Sequence, residues 1–383
     1  MASSSKAVNI DDLRRMAQRR LPRIVFDYID GGVEDETGLA RNRQAFERWR
    51  MVPHYLTDVS QRSQQTTLFG QNYASPFGIA PTGLAGFARP GADLMLAQAA
   101  AEANVPFIMS GAATTSIERV AAAAPRHAWF QLYVSRETAI TDDLIRRALE
   151  AGIETLVLTV DVPVHSKRER DWRNGFVPPV KPSPGCVLDM LRHPAWLGTV
   201  LRHGLPRFEN WAPYAGNGAG ARQIAAFFSA QIPFTQTWHD LERIRRQWPR
   251  RLVLKGILAP NDAVQAQRLG VDGLIVSNHG GRQLDAAPAA LEMLPAIRAV
   301  LGQQMTLMLD GGIRRGSDIL KAWALGADFV FVGRPALYGV AADGLAGARR
   351  ALAILREEID LTLAQLGCAD LALLTGEYLR EGW

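Results

Sequence analysis

From residue 77 onward, short apolar runs alternate with longer amphipathic stretches. Phe77–Pro81, Val105–Met109, Ala128–Tyr133, Thr155–Val160, Leu252–Lys255, Val271–Val276, Met305–Asp310 and Phe329–Gly333 are brief and largely apolar, as expected of buried strands. Between them, Asp93–Ala103, Ser116–Ala124, Asp142–Ala151, Asn261–Leu269 and the stretches around 288–301 and 317–325 carry helical spacing. Strands alternating with helices predict a parallel α/β sheet. Eight such units over about 250 to 300 residues match the size of a closed (β/α)8 TIM barrel. A doubly wound open sheet is the runner-up.

Residues 10–50 read as a helical extension before the barrel. Asn9 or Asp11 can cap it, Leu13, Met16 and Leu21 recur before Pro22, and a further apolar turn stops at Gly31-Gly32. Residues 1–383 read as one domain, with the barrel at about 77–350. After the fourth strand the rhythm breaks from Asn174 to Trp238, a stretch with Pro178, Pro179, Pro182, Pro184, Pro194, Pro206 and Pro213. A loop that long inside a compact fold is usually functional. Its middle, Val187–Leu205, suits short amphipathic helices that combine tryptophan with basic residues. That pattern fits a membrane interface. It fits equally a lid packed on its own barrel or on a neighbouring subunit.

The choice of a barrel rests on where the unusual residues fall. Pro81-Thr82-Gly83, Ser110, Gln131 with Tyr133, Thr159 with Asp161, Lys255, Ser277 with His279, Asp310-Gly311-Gly312 and Gly333-Arg334 all lie at or just past strand ends. Barrel enzymes build their sites on that face.

Composition narrows the field. The chain has 383 residues, a formal charge of +5 and a pI near 9.4. The basicity is mild and spread out, so it is weak support for nucleic acid; an anionic substrate or membrane surface accounts for it as well. Two distant cysteines, Cys186 and Cys368, fit a reducing compartment and no metal spacing. No apolar run approaches the roughly eighteen residues of a spanning helix.

The organising stretch is Ser277-Asn278-His279-Gly280-Gly281-Arg282, directly after the sixth strand. A base and a cation three residues apart can take a proton and hold a carboxylate. Asp161 ends the fourth strand; a carboxylate near His279 would orient the imidazole and raise its pKa. Lys255 lies in apolar sequence, where it pairs with a carboxylate, forms a Schiff base or stabilises an anion on a cofactor. Arg168 and Arg282 suit bidentate carboxylate binding, with Tyr28 and Tyr133 as hydroxyl donors. Glycine-rich Asp310–Gly316 and Gly333-Arg334 follow strands seven and eight, the usual phosphate position of barrels. No Gly-x-Gly-x-x-Gly follows the first strand, which argues against a Rossmann dinucleotide site.

These stretches together resemble the FMN-dependent α-hydroxy acid oxidase and dehydrogenase family. The resemblance runs from Leu21-Pro22 to Tyr378-Leu379, with Ser277–Asp285 as its most specific part. It implies FMN held by Pro81, Thr82, Gly83, Ser110, Gln131, Thr159, Lys255 and Ser277, with its phosphate at Asp310, Gly312, Arg314, Gly333 and Arg334. It implies His279 as catalytic base with Asp161 as partner, and Lys255 beside the flavin. It implies Tyr28, Tyr133, Arg168 and Arg282 around the substrate carboxylate. The reaction is then oxidation of an (S)-2-hydroxy acid to the 2-oxo acid, (S)-mandelate being the foremost substrate. Gly83 stands where many members of the family carry alanine, which implies altered surroundings for the flavin, and Ala112 stands where glycolate oxidases carry tryptophan, which leaves room for a phenyl group. The 174–238 insertion resembles a membrane-associating loop. It implies a peripheral enzyme on the cytoplasmic side of the inner membrane, passing electrons to a quinone, and a homotetramer. The competing readings are an L-lactate dehydrogenase, an oxygen-using oxidase, a soluble cytoplasmic form, an FMN-binding isomerase, and a barrel kept as a phosphate-binding scaffold.

Overall fold

In the computed structural model, residues 3–176, 183–232 and 235–382 are described. Pro178, Pro179 and Pro182 of the insertion lie outside them. Eight parallel strands close into a barrel: β1 (Phe77–Ile79), β2 (Phe107–Met109), β3 (Ala128–Leu132), β4 (Thr155–Thr159), β5 (Arg251–Ile257), β6 (Gly273–Val276), β7 (Thr306–Asp310) and β8 (Phe329–Val332). Each pairs with its sequence neighbour, and β8 returns to β1. The open-sheet alternative is therefore wrong.

The barrel interior is filled rather than hollow. Ile108, Trp129, Val157, Val253, Ile275, Met308, Phe329 and Phe331 point inward and are at most 3% exposed. Fully burying side chains of this kind contributes about 1.5–3 kcal/mol each. A hairpin of Thr66–Leu68 and Gln71–Tyr73 stoppers the N-terminal ends of the strands with Leu68, Phe69 and Tyr73. The hairpin is too short to announce itself by periodicity. Only the opposite, C-terminal face is left for a site.

The N-terminal extension forms α1 (Ile10–Arg20), α2 (Arg23–Asp30) and α3 (Thr37–Glu47). Asn9 caps α1 by accepting from Asp12 N at 2.8 Å. The expected helical stretch stops short of residue 50, because Trp49–Met51 pairs antiparallel with Leu379–Glu381. A pairing across the whole chain leaves no local pattern.

The insertion holds α4 (Pro184–Leu191), α5 (Pro194–His203) and α6 (Ala221–Gln231). Trp196 and Trp211 face inward, so the interfacial pattern read over Val187–Leu205 keeps its leucines and basic residues but not its tryptophan. Trp196 is 5% exposed and donates to Phe87 O at 2.8 Å; Trp211 is fully buried and donates to Gly111 O at 2.8 Å. Burial supplies each indole N–H with a carbonyl partner on the barrel. The outward side chains are Val187, Leu188, Leu191, Leu201 and Leu205, beside exposed Arg192, Arg202 and His203. Among the described residues no helix is long and apolar enough to cross a membrane. After β8 comes α7 (Arg334–Leu366), whose helical geometry breaks at Asp343 and Gly344.

Candidate active site

The loop after β6 carries His279. Asn278 is buried and exchanges hydrogen bonds with Asn42 of α3, Nδ2 to Oδ1 in both directions at 2.8 and 2.9 Å. Its Oδ1 also accepts from Gly281 N. This reciprocal amide pair fixes the turn in which His279, Gly280 and Gly281 all have positive φ, near 57°, 65° and 74°. Asn42 carries no sequence signal of its own, and the reading missed it.

His279 Nδ1 donates to Asp161 Oδ1 at 2.8 Å. The bond sets the tautomer and leaves Nε2 as the basic nitrogen. Burial pushes the imidazole pKa down and Asp161 pushes it up; burial prevails, so the net shift is downward. The expected upward shift is thus corrected: the carboxylate acts as expected but is outweighed. For Asp161, burial raises the pKa while His279 and Lys255 lower it, and the net shift is downward.

Lys255, two residues before the end of β5, lies 3.1 Å from Asp310 Oδ2 and 2.9 Å from Ser277 Oγ, and all three are buried. Ser277 Oγ donates to Asp310 Oδ1. The Asp310 carboxylate therefore serves the lysine and serine from the head of the glycine-rich Asp310–Gly316 stretch. Burial lowers the lysine pKa, but Asp310 and then Asp161 raise it further, and the ammonium is the stable form.

The arginines complete the mouth. Arg282 Nη1 donates to Tyr28 O at 2.7 Å and Gly31 O at 2.8 Å, and its guanidinium lies 5.0 Å from the Tyr28 ring centre. Nε and Nη2 have no hydrogen-bond partner among the described residues, which leaves a fork edge for a carboxylate. Among the described residues the Arg168 side chain reaches Ser166 Oγ, Arg282 O and Gln283 Oε1, at 3.1, 3.4 and 3.4 Å. Burial and then the charge of Arg282 pull its pKa down to about 10. Neither arginine forms a salt bridge among the described residues, the charge of buried Asp171 reaching both only from a distance, and two such cations favour an incoming carboxylate. Burial, then Asp161 and Tyr28, raise the Tyr133 pKa, so this phenol is neutral beside them.

The remaining predicted residues surround a cleft that suits a phosphorylated flavin. Ser110 Oγ and Gly111 N both donate to Gln131 Oε1, while Gln131 Nε2 and Thr159 Oγ1 are buried without partners among the described residues. Unpaired polar atoms at two adjacent strand ends fit the polar edge of a flavin ring. A methyl on Gly83 would approach Ala112 Cβ to 3.0 Å and Tyr28 Oη to 3.6 Å, so this glycine opens the cleft beside the tyrosine. Gly333 caps α7 and, with Ala80 and Thr82 on either side of Pro81 near it, leaves the helix N-terminus at the same face. Gly312, at φ 82°, is required by a backbone contact, since a Cβ would meet Asn42 O at 2.1 Å. Arg314 lies 5.7 Å from the Tyr338 ring centre and lowers the pKa of Arg334 by its charge. Arg334 spends three bonds on Ile29 O, Gly280 O and Gly31 O at 3.1, 3.0 and 2.8 Å. Burial brings it down to about 9. Gln236 was also missed: its Nε2 donates to Thr159 O at 3.0 Å, and its Oε1 is buried unpaired.

A family model described as FMN-dependent dehydrogenase matches residues 17–381, and the chain belongs to that family. It is an oxidoreductase that acts on 2-hydroxy acids with FMN as cofactor. The chain is 43% identical over 378 residues to an (S)-mandelate dehydrogenase of Pseudomonas putida, covering 99% of this chain and 95% of that protein. It is 41% identical over 372 residues to an L-lactate dehydrogenase of Caulobacter vibrioides, covering 97% of each. Among solved structures, a monotopic membrane protein (S)-mandelate dehydrogenase superposes with a TM-score of 0.94 at 43% identity, over 98% of this chain and 100% of that one. Membership sets aside the isomerase and scaffold readings.

Proposed function

We propose that this enzyme oxidises (S)-mandelate to its 2-oxo acid. The observation that carries the reading is the His279–Asp161 pair facing Arg168 and Arg282, two cations with unspent donors. The substrate carboxylate lies on the free edge of Arg282 and on Arg168, and the Tyr28 and Tyr133 hydroxyls orient it. His279 Nε2 takes up a proton as the hydroxy acid is oxidised, and Asp161 stabilises the imidazolium formed. FMN, when bound, supplies the acceptor for the two electrons. Pro81, Thr82, Gly83, Ser110, Gln131, Thr159, Lys255 and Ser277 hold its ring system. Asp310, Gly312, Arg314, Gly333 and Arg334 would hold its phosphate. The Lys255 ammonium favours negative charge on the reduced ring. The space left by Gly83 and Ala112 admits a phenyl group.

The exposed leucines of α4 and α5 beside Arg192 and Arg202 support attachment to an anionic bilayer. We place the enzyme on the cytoplasmic side of the inner membrane as a homotetramer that delivers electrons to a quinone; for these points the support is the family resemblance. Lactate is the second reading, because several relatives near 40% identity are L-lactate dehydrogenases.

The test is anaerobic mixing of the yellow protein with (S)-mandelate, with (S)-lactate as comparison. Fast bleaching by mandelate, slowly reversed by air, is the expected result. Bleaching by lactate alone moves the substrate, and rapid reversal by air moves the enzyme to the oxidases. A protein bleached by no 2-hydroxy acid overturns the proposal.

A further inference from the structure

The two anion sites meet on one backbone atom. Gly31 O accepts from Arg282 Nη1 and from Arg334 Nη2, both at 2.8 Å. The neighbouring carbonyls at the end of α2 divide between the same arginines: Tyr28 O binds Arg282 at 2.7 Å, and Ile29 O binds Arg334 at 3.1 Å. Carbonyls at a helix C-terminus carry partial negative charge, so two guanidinium groups are drawn there. One of these arginines offers its remaining edge to the substrate carboxylate, and the other belongs to the phosphate cleft.

The end of α2 is held from behind by Asp30, which lies between Ile29 and Gly31 and is 7% exposed. Its Oδ1 accepts from Arg14 Nε at 2.6 Å and Tyr338 Oη at 2.7 Å. Its Oδ2 accepts from Arg14 Nη2 at 2.8 Å and Arg170 Nη1 at 3.3 Å. Tyr338 stands one helical turn after Arg334 on α7, so the Asp30–Tyr338 bond ties the end of α2 to the helix that faces the phosphate cleft. Burial opposes charge on Asp30, yet Arg14, Tyr338 and Arg334 hold its pKa at about 2. Gly31 itself leaves no slack, since a Cβ there would lie 2.6 Å from Asp27 O.

We infer that Asp30 is a positioning residue that couples the cofactor-phosphate site to the substrate-carboxylate site through the shared Gly31 carbonyl. An anion that fixes Arg334 fixes the end of α2, and that fixed end presents Arg282 already oriented. The second anion then loses less freedom on binding, which is positive coupling. The inference rests on the proposed placement of FMN and of the substrate carboxylate.

The experiment is a coupling cycle with FMN and phenylacetate, an unreactive carboxylate. The dissociation constant of FMN from the apoprotein is measured by quenching of flavin fluorescence, with and without saturating phenylacetate. The ratio of the two constants is the coupling factor. Direct contact between phenylacetate and flavin contributes equally in every variant. In Asp30→Asn the factor is expected to fall about five-fold or more. Tyr338→Phe, which keeps the buried charge and removes one bond, is expected to lower it in the same direction by less. It carries the test if Asp30→Asn does not fold. A merely structural role would weaken both ligands and leave the factor unchanged, and that result would overturn the inference. Failure of the functional reading is distinct: it shows in the parent protein, as no FMN binding or no bleaching by any 2-hydroxy acid.

Discussion

The carboxylate of Asp310 stands 3.1 Å from the ammonium of Lys255, and both groups are buried. The pair gives the lysine a counter-ion inside the cleft, so the net local charge is set by two residues rather than one. Asp310→Asn leaves Lys255 charged, since Asp161 still favours the ammonium. The midpoint potential of the bound flavin is then expected to rise. Lys255→Met removes the cation and is expected to lower it, with reduction slowed roughly 10²–10³-fold. A spectroscopic redox titration compares the variants, and shifts of the same sign would refute the assignment. Asp310→Asn is also expected to lower the melting temperature, because an unpaired buried charge costs about 3–5 kcal/mol.

Burial holds His279 below the ordinary histidine pKa of about 6.5. The neutral base therefore persists at lower pH, and the acid limb of kcat/KM is expected below about pH 6.5. Asp161→Asn removes the interaction that raises this pKa. The limb should move further toward acid, while the maximum falls about 10²–10⁴-fold because the imidazolium loses its partner. A limb that moved toward alkali would contradict the pairing.

Replacing Arg282 by Met removes the free fork edge and the two bonds to the end of α2. A charge-assisted hydrogen bond contributes about 1.5–3 kcal/mol, so kcat/KM should fall roughly 10–200-fold. Arg168→Met should act in the same direction. Steady-state kinetics with (S)-mandelate measure both, and an unchanged KM in either variant would remove that arginine from the carboxylate site.

Leu188 and Leu201 are 53% and 79% exposed on α4 and α5. The double change Leu188→Asp with Leu201→Asp should abolish sedimentation with anionic vesicles and leave anaerobic flavin reduction by mandelate near the parent rate. Retained vesicle binding would show that another surface makes the attachment.

The barrel was legible in the sequence because each strand is a short apolar run buried on both sides, and eight such runs leave few ways to close a core. Strand-end residues were legible for the same reason: Asp161, Lys255, His279 and Arg334 interrupt an apolar rhythm at a point where a core has no use for them. Asn42 and Asp30 interrupt nothing. They lie on amphipathic helices where a polar residue is ordinary, and they matter only because α2 and α3 fold back over the β6 loop. Gln236 likewise gains meaning only from its approach to Thr159.

The sequence by itself determined the order of strands and helices, the face that carries the chemistry, and the kinds of groups gathered there. Periodicity and residue type are local properties, and they suffice for that much. Tertiary structure alone decided which groups pair. It paired Asp310 with Lys255, turned Trp196 and Trp211 inward, and let burial outweigh Asp161 in setting the His279 pKa. Those outcomes depend on distance and desolvation, which are fixed only when segments far apart in the chain come together.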